Sequence, residues 1–300
     1  MRVVVTGARG KVGRACVAEL AEHGHEVLAT DLGAPEYERG RGPAHYVRAD
    51  LTDAGAAFAV IRGADAVVHC AAIPEPTQDA AHVVFSNNIT AAFNVVEACV
   101  RWQVGRLVNI SSETVPGMAF AERPFPPAYF PIDEEHPVAP QDPYALAKHF
   151  TEQLCSAAVR RSELKVISLR PTWVQDRSSY ARNLGPMIAA ARAGRPEPTV
   201  NGWSYIDAYD LAAAIRLSVQ SDLTGHEVFC ISSPDAAGVS DTRRALQEQY
   251  PSGVALRDFP FAAAAGTSSA KAVRLLGWQP RRSWRDYLDE QGEPLPDAVG

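Results

Sequence analysis

The chain has 300 residues, a formal net charge of −6 and 46% hydrophobic residues, enough for a sizeable core in one large α/β domain or in one domain with a small lobe. The acidic balance and the lack of basic blocks argue against nucleic-acid and membrane-surface partners. Five scattered cysteines without a C-x-x-C pair fit buried thiols in a reducing compartment, and no apolar run looks long enough to span a bilayer. Since Met1 runs straight into a predicted strand, with no room for a signal peptide, we expect a cytoplasmic protein.

A glycine-rich turn connects the first predicted strand to the first predicted helix. The β-branched run at residues 3–5 is typical of a strand buried on both faces, and apolar residues recur at helical spacing from Lys11 onward. The intervening G-x-x-G-x-x-G lets backbone approach a pyrophosphate at the helix start, although a structural turn is the alternative. The residues assigned to this predicted dinucleotide site are Gly7, Gly10, Lys11, Val12 and Gly13.

The second predicted strand, residues 26–30, leads to Asp31, eighteen residues past Gly13. A carboxylate there accepts hydrogen bonds from the adenosine ribose hydroxyls and repels a 2′-phosphate, which favours NAD over NADP. Arg9 in the turn and Arg39 and Arg41 in the next loop keep an NADP site open as an alternative. A solvated turn residue is the other interpretation of Asp31.

The third and fourth predicted strands, residues 45–49 and 66–72, flank a helix predicted over residues 54–61. Asp50 follows the third strand and would serve as a cofactor ligand or as the cap of that helix. The small residues Ala71 and Ala72 would let a cofactor lie across the sheet edge. His69, alone in a buried strand, is interpreted as structural, and no cluster has metal-ligand spacing, so we predict no metal.

A long helix is predicted over residues 84–102, and the strand at residues 106–110 after it ends in polar side chains. Hydroxyl groups at the carboxyl end of a central parallel strand lie where doubly wound sheets bind ligands. The side chains concerned are Ser111, Ser112, Glu113 and Thr114.

A tyrosine and a lysine four residues apart carry the predicted chemistry. Asp142 as N-cap and Pro143 as first helical residue place Tyr144 and Lys148 on one helix face. The ammonium, the positive helix end and an oxidised nicotinamide would each lower the pKa of the phenol from about 10. A phenol of lowered pKa takes a proton from a substrate alcohol while hydride leaves its carbon.

Together these motifs resemble the extended short-chain dehydrogenase/reductase family, in its NAD-dependent epimerase/dehydratase branch, over nearly the whole chain. The R-P turn at Pro171, the Y-I-D segment at Tyr205 and the L-G-W-x-P segment at Trp278 match as well. The resemblance implies an α/β fold, a Rossmann-type doubly wound parallel sheet with a small C-terminal substrate lobe. Residues 1–170, with 203–232 returning to them, would form the dinucleotide-binding core, and residues 171–202 and 233–300 the lobe.

The resemblance also implies the roles of individual residues. Ser112, Tyr144 and Lys148 would be catalytic: Ser112 bonds the substrate oxygen and Lys148 holds the nicotinamide ribose. Beyond the glycine turn and Asp31, the implied cofactor residues are Asp50, Leu51, Ala71, Ala72, Asn88, Ser111, Tyr144, Lys148, Pro171 and Thr172. The implied substrate residues are Pro74, Ser112, Glu113, Thr114, Tyr144, Asn183 and Trp203.

Departures from the branch narrow the expected substrate. Its dehydratases carry an adjacent Asp-Glu pair where this chain has Glu113 and Thr114, so we expect no dehydration. Its nucleotide-sugar epimerases have a phosphate-binding arginine where this chain has Trp203. We therefore predict a pocket for a free sugar or sugar acid, with Trp203 either stacked on the sugar or in the core. The loop at residues 118–140 is predicted to form a substrate wall, with the acidic run 133–135 as a solvated face.

The predicted function is that of an NAD-dependent oxidoreductase or epimerase, which acts on a secondary alcohol of a sugar or sugar acid with Tyr144 as general base and acid. The alternatives are an NADPH-dependent reductase of a non-sugar ketone or aldehyde and a non-catalytic NAD(P)-sensing regulator. We expect a small-molecule substrate and a homodimer, although the apolar side chains of its predicted interface would otherwise pack on the sheet. Those side chains are Phe93, Val100, Trp102, Phe150, Leu154 and Ala158.

Overall fold

The computed structural model describes residues 1–33 and 44–296. Its strands are β1 (Arg2–Thr6), β2 (Glu26–Asp31), β3 (His45–Arg48), β4 (Ala66–His69), β5 (Arg106–Ile110), β6 (Tyr129–Phe130), β7 (Lys165–Pro171), β8 (Trp173–Gln175), β9 (Tyr205–Asp207), β10 (His226–Ile231) and β11 (Ala255–Leu256). Its α-helices are α1 (Lys11–Glu22), α2 (Ala54–Ile61), α3 (Ala81–Arg101), α4 (Pro143–Arg161), α5 (Tyr180–Asn183), α6 (Gly185–Arg192), α7 (Ala208–Gln220), α8 (Thr242–Gln249) and α9 (Ala270–Leu276). A short 3₁₀ helix covers Trp284–Asp286.

Seven strands form one parallel sheet in the order β3-β2-β1-β4-β5-β7-β10. The chain winds outward in one direction from β1 to β3 and in the other from β4 to β10. A crevice at the carboxyl ends of β1 and β4, where the direction changes, is the ligand position of such sheets. The predicted doubly wound Rossmann-type sheet is confirmed.

Side chains of successive strand residues enter two different apolar layers, as the alternation of a pleated strand requires. Val3 and Val5 pack with α1 and α7, whereas Val4 packs with α2, α3 and α4. Both faces are therefore covered, which explains why the central strands are apolar at nearly every position.

A third apolar cluster forms the core of the lobe. It includes Phe130, from the loop predicted to wall the substrate, and Trp203, from the segment predicted to return to the Rossmann core. Parallel pairing of β6 with β11 attaches that loop to the lobe. The predicted boundaries between core and lobe stay a prediction.

Several predicted element ends differ from the structure. β4 ends three residues early, at His69, because the N–H of Ala71 donates to Thr6 Oγ1 (3.2 Å) and leaves the strand ladder. The cap of α2 is Asp53, whose Oδ1 accepts from the N–H of Ala56 (2.8 Å). The prediction of Asp50 as that cap is wrong.

The acidic run at residues 133–135 is also not a simple solvated face. The carboxylate of Asp133 pairs with Arg257 (2.9 Å), and Glu134 accepts a hydrogen bond from the N–H of Cys230 (2.7 Å). These two side chains fasten the loop to β10 and to the lobe.

By length and composition, α3 is the one described helix that qualifies as a bilayer span, contrary to the expectation that no apolar run does. Half of its most apolar window is buried, and Val95 and Cys99 pack into the layer beneath the sheet. Core helices of soluble proteins meet the same criterion, so this helix is weak support for a membrane segment.

Candidate active site

The glycine turn lies against the end of β4 with no room for side chains. Gly7 has φ +63°, and a Cβ on it would lie 2.6 Å from the backbone nitrogen of Ala71. A Cβ on Gly13 would lie 2.1 Å from the carbonyl oxygen of Gly7. Gly10, which caps α1, has no side chain to satisfy the first N–H groups of the helix. The turn thus fits the predicted pyrophosphate position, with Lys11 and Val12 in the first helical turn.

The Asp31 carboxylate stands at the end of β2 beside this turn. It accepts hydrogen bonds from the N–H groups of Arg9 (2.9 Å) and Leu32 (2.7 Å). The Arg9 guanidinium lies 5.8 Å from the ring centroid of Tyr46. The Asp31 side chain therefore shapes the turn, and it also stands where an adenosine ribose is expected. Arg39 and Arg41 lie outside the described residues.

The loops after β3 and β4 carry the other residues assigned to the adenosine half of the cofactor. Asp50 accepts from the backbone and hydroxyl of Thr52 (2.9 and 2.7 Å), and the carbonyl of buried Leu51 accepts from Asn94 (2.9 Å). Ala71 and Ala72 follow β4 directly and are partly buried beside the turn. All four lie at the carboxyl edge of the sheet, as expected.

Asn88 on α3 fastens the loop that follows β4. Its amide accepts from the N–H of Ile73 (2.8 Å) and donates to the carbonyl of the same residue (2.9 Å). These two hydrogen bonds hold the backbone of the loop at Ile73. Pro74, assigned to the substrate, comes next in this loop and is exposed.

The three residues predicted to be catalytic come together at the end of β5. Asp142 caps α4 by accepting from the N–H groups of Tyr144 (3.0 Å) and Ala145 (2.9 Å). The Ser112 hydroxyl lies close enough to the Tyr144 phenol to lower the pKa of the phenol, and Lys148 Nζ lies 5.7 Å from the centroid of that ring. All three side chains are more than nine-tenths buried.

The electrostatics of this group differ from the prediction. Burial raises the pKa of Tyr144 to about 12, and the nearby Asp142 and Glu113 carboxyls act in the same direction. The Ser112 hydroxyl lowers it only in part. Lys148 Nζ donates to the carbonyl of Ile110 (2.6 Å), and burial lowers the pKa of Lys148 to about 8. In the chain alone, desolvation outweighs the effects expected to lower the pKa of the phenol, and the lowering by an oxidised nicotinamide stays a prediction.

The Ser111 hydroxyl, assigned to the cofactor, donates instead to Glu152 Oε1 (2.6 Å). Glu152 also accepts from Arg170 Nε (2.9 Å) and Nη2 (2.7 Å) in a buried two-point ion pair. Sequence reasoning missed this pair. The available signal was Glu152, one turn beyond Lys148 on the same helix face, together with the arginine of the R-P turn.

The end of β7 meets the segment that follows β5. The carbonyl of Pro171 accepts from the N–H of Glu113 (3.1 Å), and the N–H of Thr172 donates to Ile231 (2.9 Å). Glu113 Oε2 accepts from Asn201 Nδ2 (2.8 Å), and burial raises the pKa of Glu113 to about 8. Thr114 Oγ1 donates to Ser112 Oγ (3.0 Å). The predicted substrate residues Glu113 and Thr114 therefore flank the catalytic group.

Two predicted substrate residues of the lobe are engaged within the protein. Asn183 Nδ2 donates to Gln175 Oε1 (2.9 Å). Trp203 is 2% exposed in the lobe core, and its indole N–H donates to the carbonyl of Glu197 (2.9 Å). The stacking role for Trp203 is wrong, because no ring face is open to a ligand.

Lys11 connects the glycine turn to the lobe. Its Nζ donates to the carbonyl of Val174 and to Ser179 Oγ, both at 2.9 Å, and it is attracted to Asp176. Burial nevertheless lowers the pKa of Lys11. The helix that presents its N–H groups to the predicted pyrophosphate position thus also holds β8 and the loop after it.

The structure supports the interpretation of His69 as a structural residue. Its Nδ1 shares a hydrogen bond with Thr6 Oγ1 (2.9 Å), and burial lowers the pKa of His69 to about 3. Across residues 1–33 and 44–296, no group of three His, Cys, Asp or Glu side chains is placed to hold a metal ion.

Comparisons with known proteins agree with this geometry. The family model described as NAD dependent epimerase/dehydratase family matches residues 3–231. The UDP-glucose 4-epimerase of Corynebacterium glutamicum is 26% identical over 100% of this chain and 97% of its own length. The L-arabinose 1-dehydrogenase (NAD(P)(+)) of Haloferax volcanii is 35% identical over 58% of this chain and 67% of its own. A solved structure of MoeE5 in complex with UDP-glucuronic acid and NAD superimposes with a TM-score of 0.69 at 25% identity, covering 95% of both chains.

Proposed function

Since the chain belongs to the NAD dependent epimerase/dehydratase family, we propose that it oxidises or epimerises a secondary alcohol of a sugar or sugar acid with NAD. The observation that carries the proposal is the buried contact between the Ser112 hydroxyl and the Tyr144 phenol, with Lys148 against the same ring. These groups lie at the carboxyl edge of the sheet, on the same side as the glycine turn.

Some of these residues would bind the cofactor and the substrate, and Tyr144 would transfer the proton. The glycine turn would hold the pyrophosphate of NAD and Asp31 the adenosine ribose, and Lys148 the nicotinamide ribose. The chemistry that NAD supplies when bound is the acceptance and return of a hydride. Ser112 holds the substrate oxygen through its hydroxyl. The positive charge of a bound oxidised nicotinamide would lower the pKa that burial raises in the chain alone, so that the Tyr144 phenol would take the hydroxyl proton during oxidation and return it in the reverse step.

The substrate class rests on two supports. The relatives named above act on or bind sugars and sugar nucleotides. At the position of the phosphate-binding arginine that nucleotide-sugar epimerases have, this chain has Trp203, which is buried. We therefore favour a free sugar or sugar acid over a nucleotide-linked one.

The test is a screen of NAD and NADP reduction with neutral sugars, uronic acids and simple alcohols, followed at the nicotinamide absorbance. On the best substrate, Tyr144→Phe should lower turnover by about 10²- to 10⁴-fold, the usual contribution of general acid–base catalysis, with NAD affinity nearly unchanged. The matched control is Tyr209→Phe, an exposed tyrosine on α7. Near-normal turnover of Tyr144→Phe would reject the assignment and favour the regulator alternative.

We also propose a homodimer formed through the outer faces of α3 and α4. Phe93 and Phe150 on these helices are 47% and 43% exposed, and Phe150 meets Phe85 edge to face. Ala158, assigned to this interface, is instead fully buried against the sheet, so that part of the prediction is wrong. Trp102 packs edge to face on Phe58 and stays partly exposed.

A further inference from the structure

A small cavity of about 50 Å³ lies between the segment after β5 and the lobe. Glu113, Arg170, Asn201 and Thr267 supply its polar wall, and the remaining wall is mostly apolar. Glu113 directly follows Ser112 in the chain. Ser112, Tyr144 and Lys148 do not line the cavity, but the charge of Glu113 acts on the Tyr144 phenol, so the cavity lies near the proposed catalytic group.

The Glu113 carboxyl has an unusual set of partners for a partly buried acid. It accepts a hydrogen bond from Asn201 Nδ2 (2.8 Å). Within the part of the chain that the structure describes, no Lys, Arg or His forms an ion pair with it. A buried carboxyl without a cation is more stable in its neutral form, and the pKa of Glu113 is raised to about 8 accordingly.

A neutral carboxyl carries one O–H donor. The Asn201 amide nitrogen that contacts Glu113 is itself a donor, so it does not accept that proton. A buried donor without an acceptor is costly. The cavity is the space in which an acceptor from a ligand would fit.

Resting on the proposed function, we propose that this cavity receives the carboxylate of a sugar acid and that Glu113 donates a hydrogen bond to it as a protonated acid. An ionised glutamate would accept from sugar hydroxyls and repel an anion, whereas a neutral one donates and removes the repulsion. The Thr267 hydroxyl has no hydrogen-bond partner among the described residues and is a second donor on the same wall. A hydrogen bond to a charged oxygen is about twice as strong as a neutral one.

The other titratable groups around Glu113 come from three elements. Tyr144 on α4 is close enough for the Glu113 charge to raise the pKa of the phenol. Arg170 on β7 and Cys230 on β10 line the cavity, Arg170 being paired with Glu152. Glu134, bonded to the N–H of Cys230, is a second carboxyl whose pKa burial raises, and it serves as the control.

The experiment is calorimetric titration of glucuronate and galacturonate into the protein with NAD present, at pH 8, in buffers of different ionisation enthalpy. A carboxylate bound to Glu113 should draw a fraction of a proton onto the complex, because about half of the Glu113 carboxyls are ionised at that pH before binding. Glu113→Gln should bind uronates without proton uptake. Glu113→Leu should bind them about 10- to 100-fold more weakly. Glu134→Gln should keep the uptake.

Other results would overturn the proposal. Uronate binding without proton uptake, uptake that persists in Glu113→Gln, or equal affinity for glucose and glucuronate would each do so. If neutral sugars reduce NAD and uronates neither bind nor react, the proposed function stands and this inference fails. If uronates bind with the expected uptake and no sugar reduces NAD, the inference stands and the proposed function fails.

Discussion

The Tyr144 phenol is protonated in the free enzyme because removing a charged phenolate from water costs free energy. The Ser112 hydroxyl lowers the pKa of the phenol, but burial is the larger effect and keeps the value near 12. The Lys148 ammonium donates to the carbonyl of Ile110 and not to the phenol. The chain's own residues therefore hold the phenol protonated, ready to donate toward a substrate oxygen.

Asp31 gives a test of cofactor choice at single-residue scale. We expect Asp31→Ala to weaken NAD binding and to reduce the difference in affinity between NAD and NADP, because a ribose acceptor and a negative charge are both lost. Asp31 also accepts from Arg9 and Leu32, so the alanine variant loosens the turn as well. Asp31→Asn keeps one acceptor oxygen and removes only the charge. Dissociation constants for both cofactors, measured by fluorescence titration, separate the two effects.

If the charge of Asp31 decides the preference for NAD, Asp31→Asn and Asp31→Ala should both reduce the difference in affinity between NAD and NADP. The loss of NAD affinity should be smaller in Asp31→Asn. Equal affinity of the unmodified protein for NAD and NADP would contradict the assignment of Asp31.

The role of a residue was predictable from the sequence where the spacing of a motif constrains it, and was not predictable where the burial of the side chain decides it. Gly7 and Gly13 were predictable because a turn of this shape admits no Cβ, and the four-residue spacing of Tyr144 and Lys148 fixes their shared face. The role of Trp203 was not predictable, since an aromatic side chain suits a core and a sugar site equally. Likewise, nothing in the sequence says that the Ser111 hydroxyl turns to Glu152.

At the scale of elements, the pair of Glu152 and Arg170 joins α4 to β7 beneath the catalytic group. Glu152→Ala leaves a buried guanidinium without its partner, which typically costs about 3–5 kcal/mol of the free energy of unfolding. Glu97→Ala, which removes the partner of Arg161 at the surface, should cost about 0–1 kcal/mol. Urea denaturation of both variants measures the difference, and similar losses would show that the buried pair is unimportant.

Lys11 tests whether the glycine turn and the lobe act together. Lys11→Met removes the donor to Val174 and Ser179, so we expect faster amide hydrogen exchange in residues 173–179 and weaker NAD binding. Arg274→Met, which changes an exposed side chain on α9, is the control and should leave both properties unchanged. Unaltered exchange in Lys11→Met would mean that other contacts hold the loop.

The ends of strands and helices depend on hydrogen bonds that the apolar pattern of the sequence does not reveal. The sequence at residues 66–72 is apolar throughout, yet β4 stops at His69 because Thr6 captures the N–H of Ala71. Asp53 directly precedes Ala54 and so stands at the N-cap position of α2, whereas Asp50 lies three residues too early for that role.

For the whole molecule, the predicted family and its NAD dependence are confirmed by the match over residues 3–231. The dimer remains a prediction. We expect light scattering to give twice the chain mass at micromolar concentration. The double variant Phe93→Glu with Phe150→Glu should give a folded monomer, because both rings are nearly half exposed in the single chain. The control is Phe261→Glu, which changes a similarly exposed ring in the lobe. A monomeric unmodified protein would exclude the dimer.

The lobe core takes its apolar side chains from stretches far apart in the chain, among them Phe130, Tyr180, Trp203 and Trp284. A ribosome that has released residues 1–232 has made every strand of the main sheet and only part of that core. The nascent chain would therefore carry uncovered aromatic surface until the last stretch emerges, a state prone to aggregation. No single continuous fragment contains the lobe without the sheet, so exchanging it between relatives requires several grafts at once.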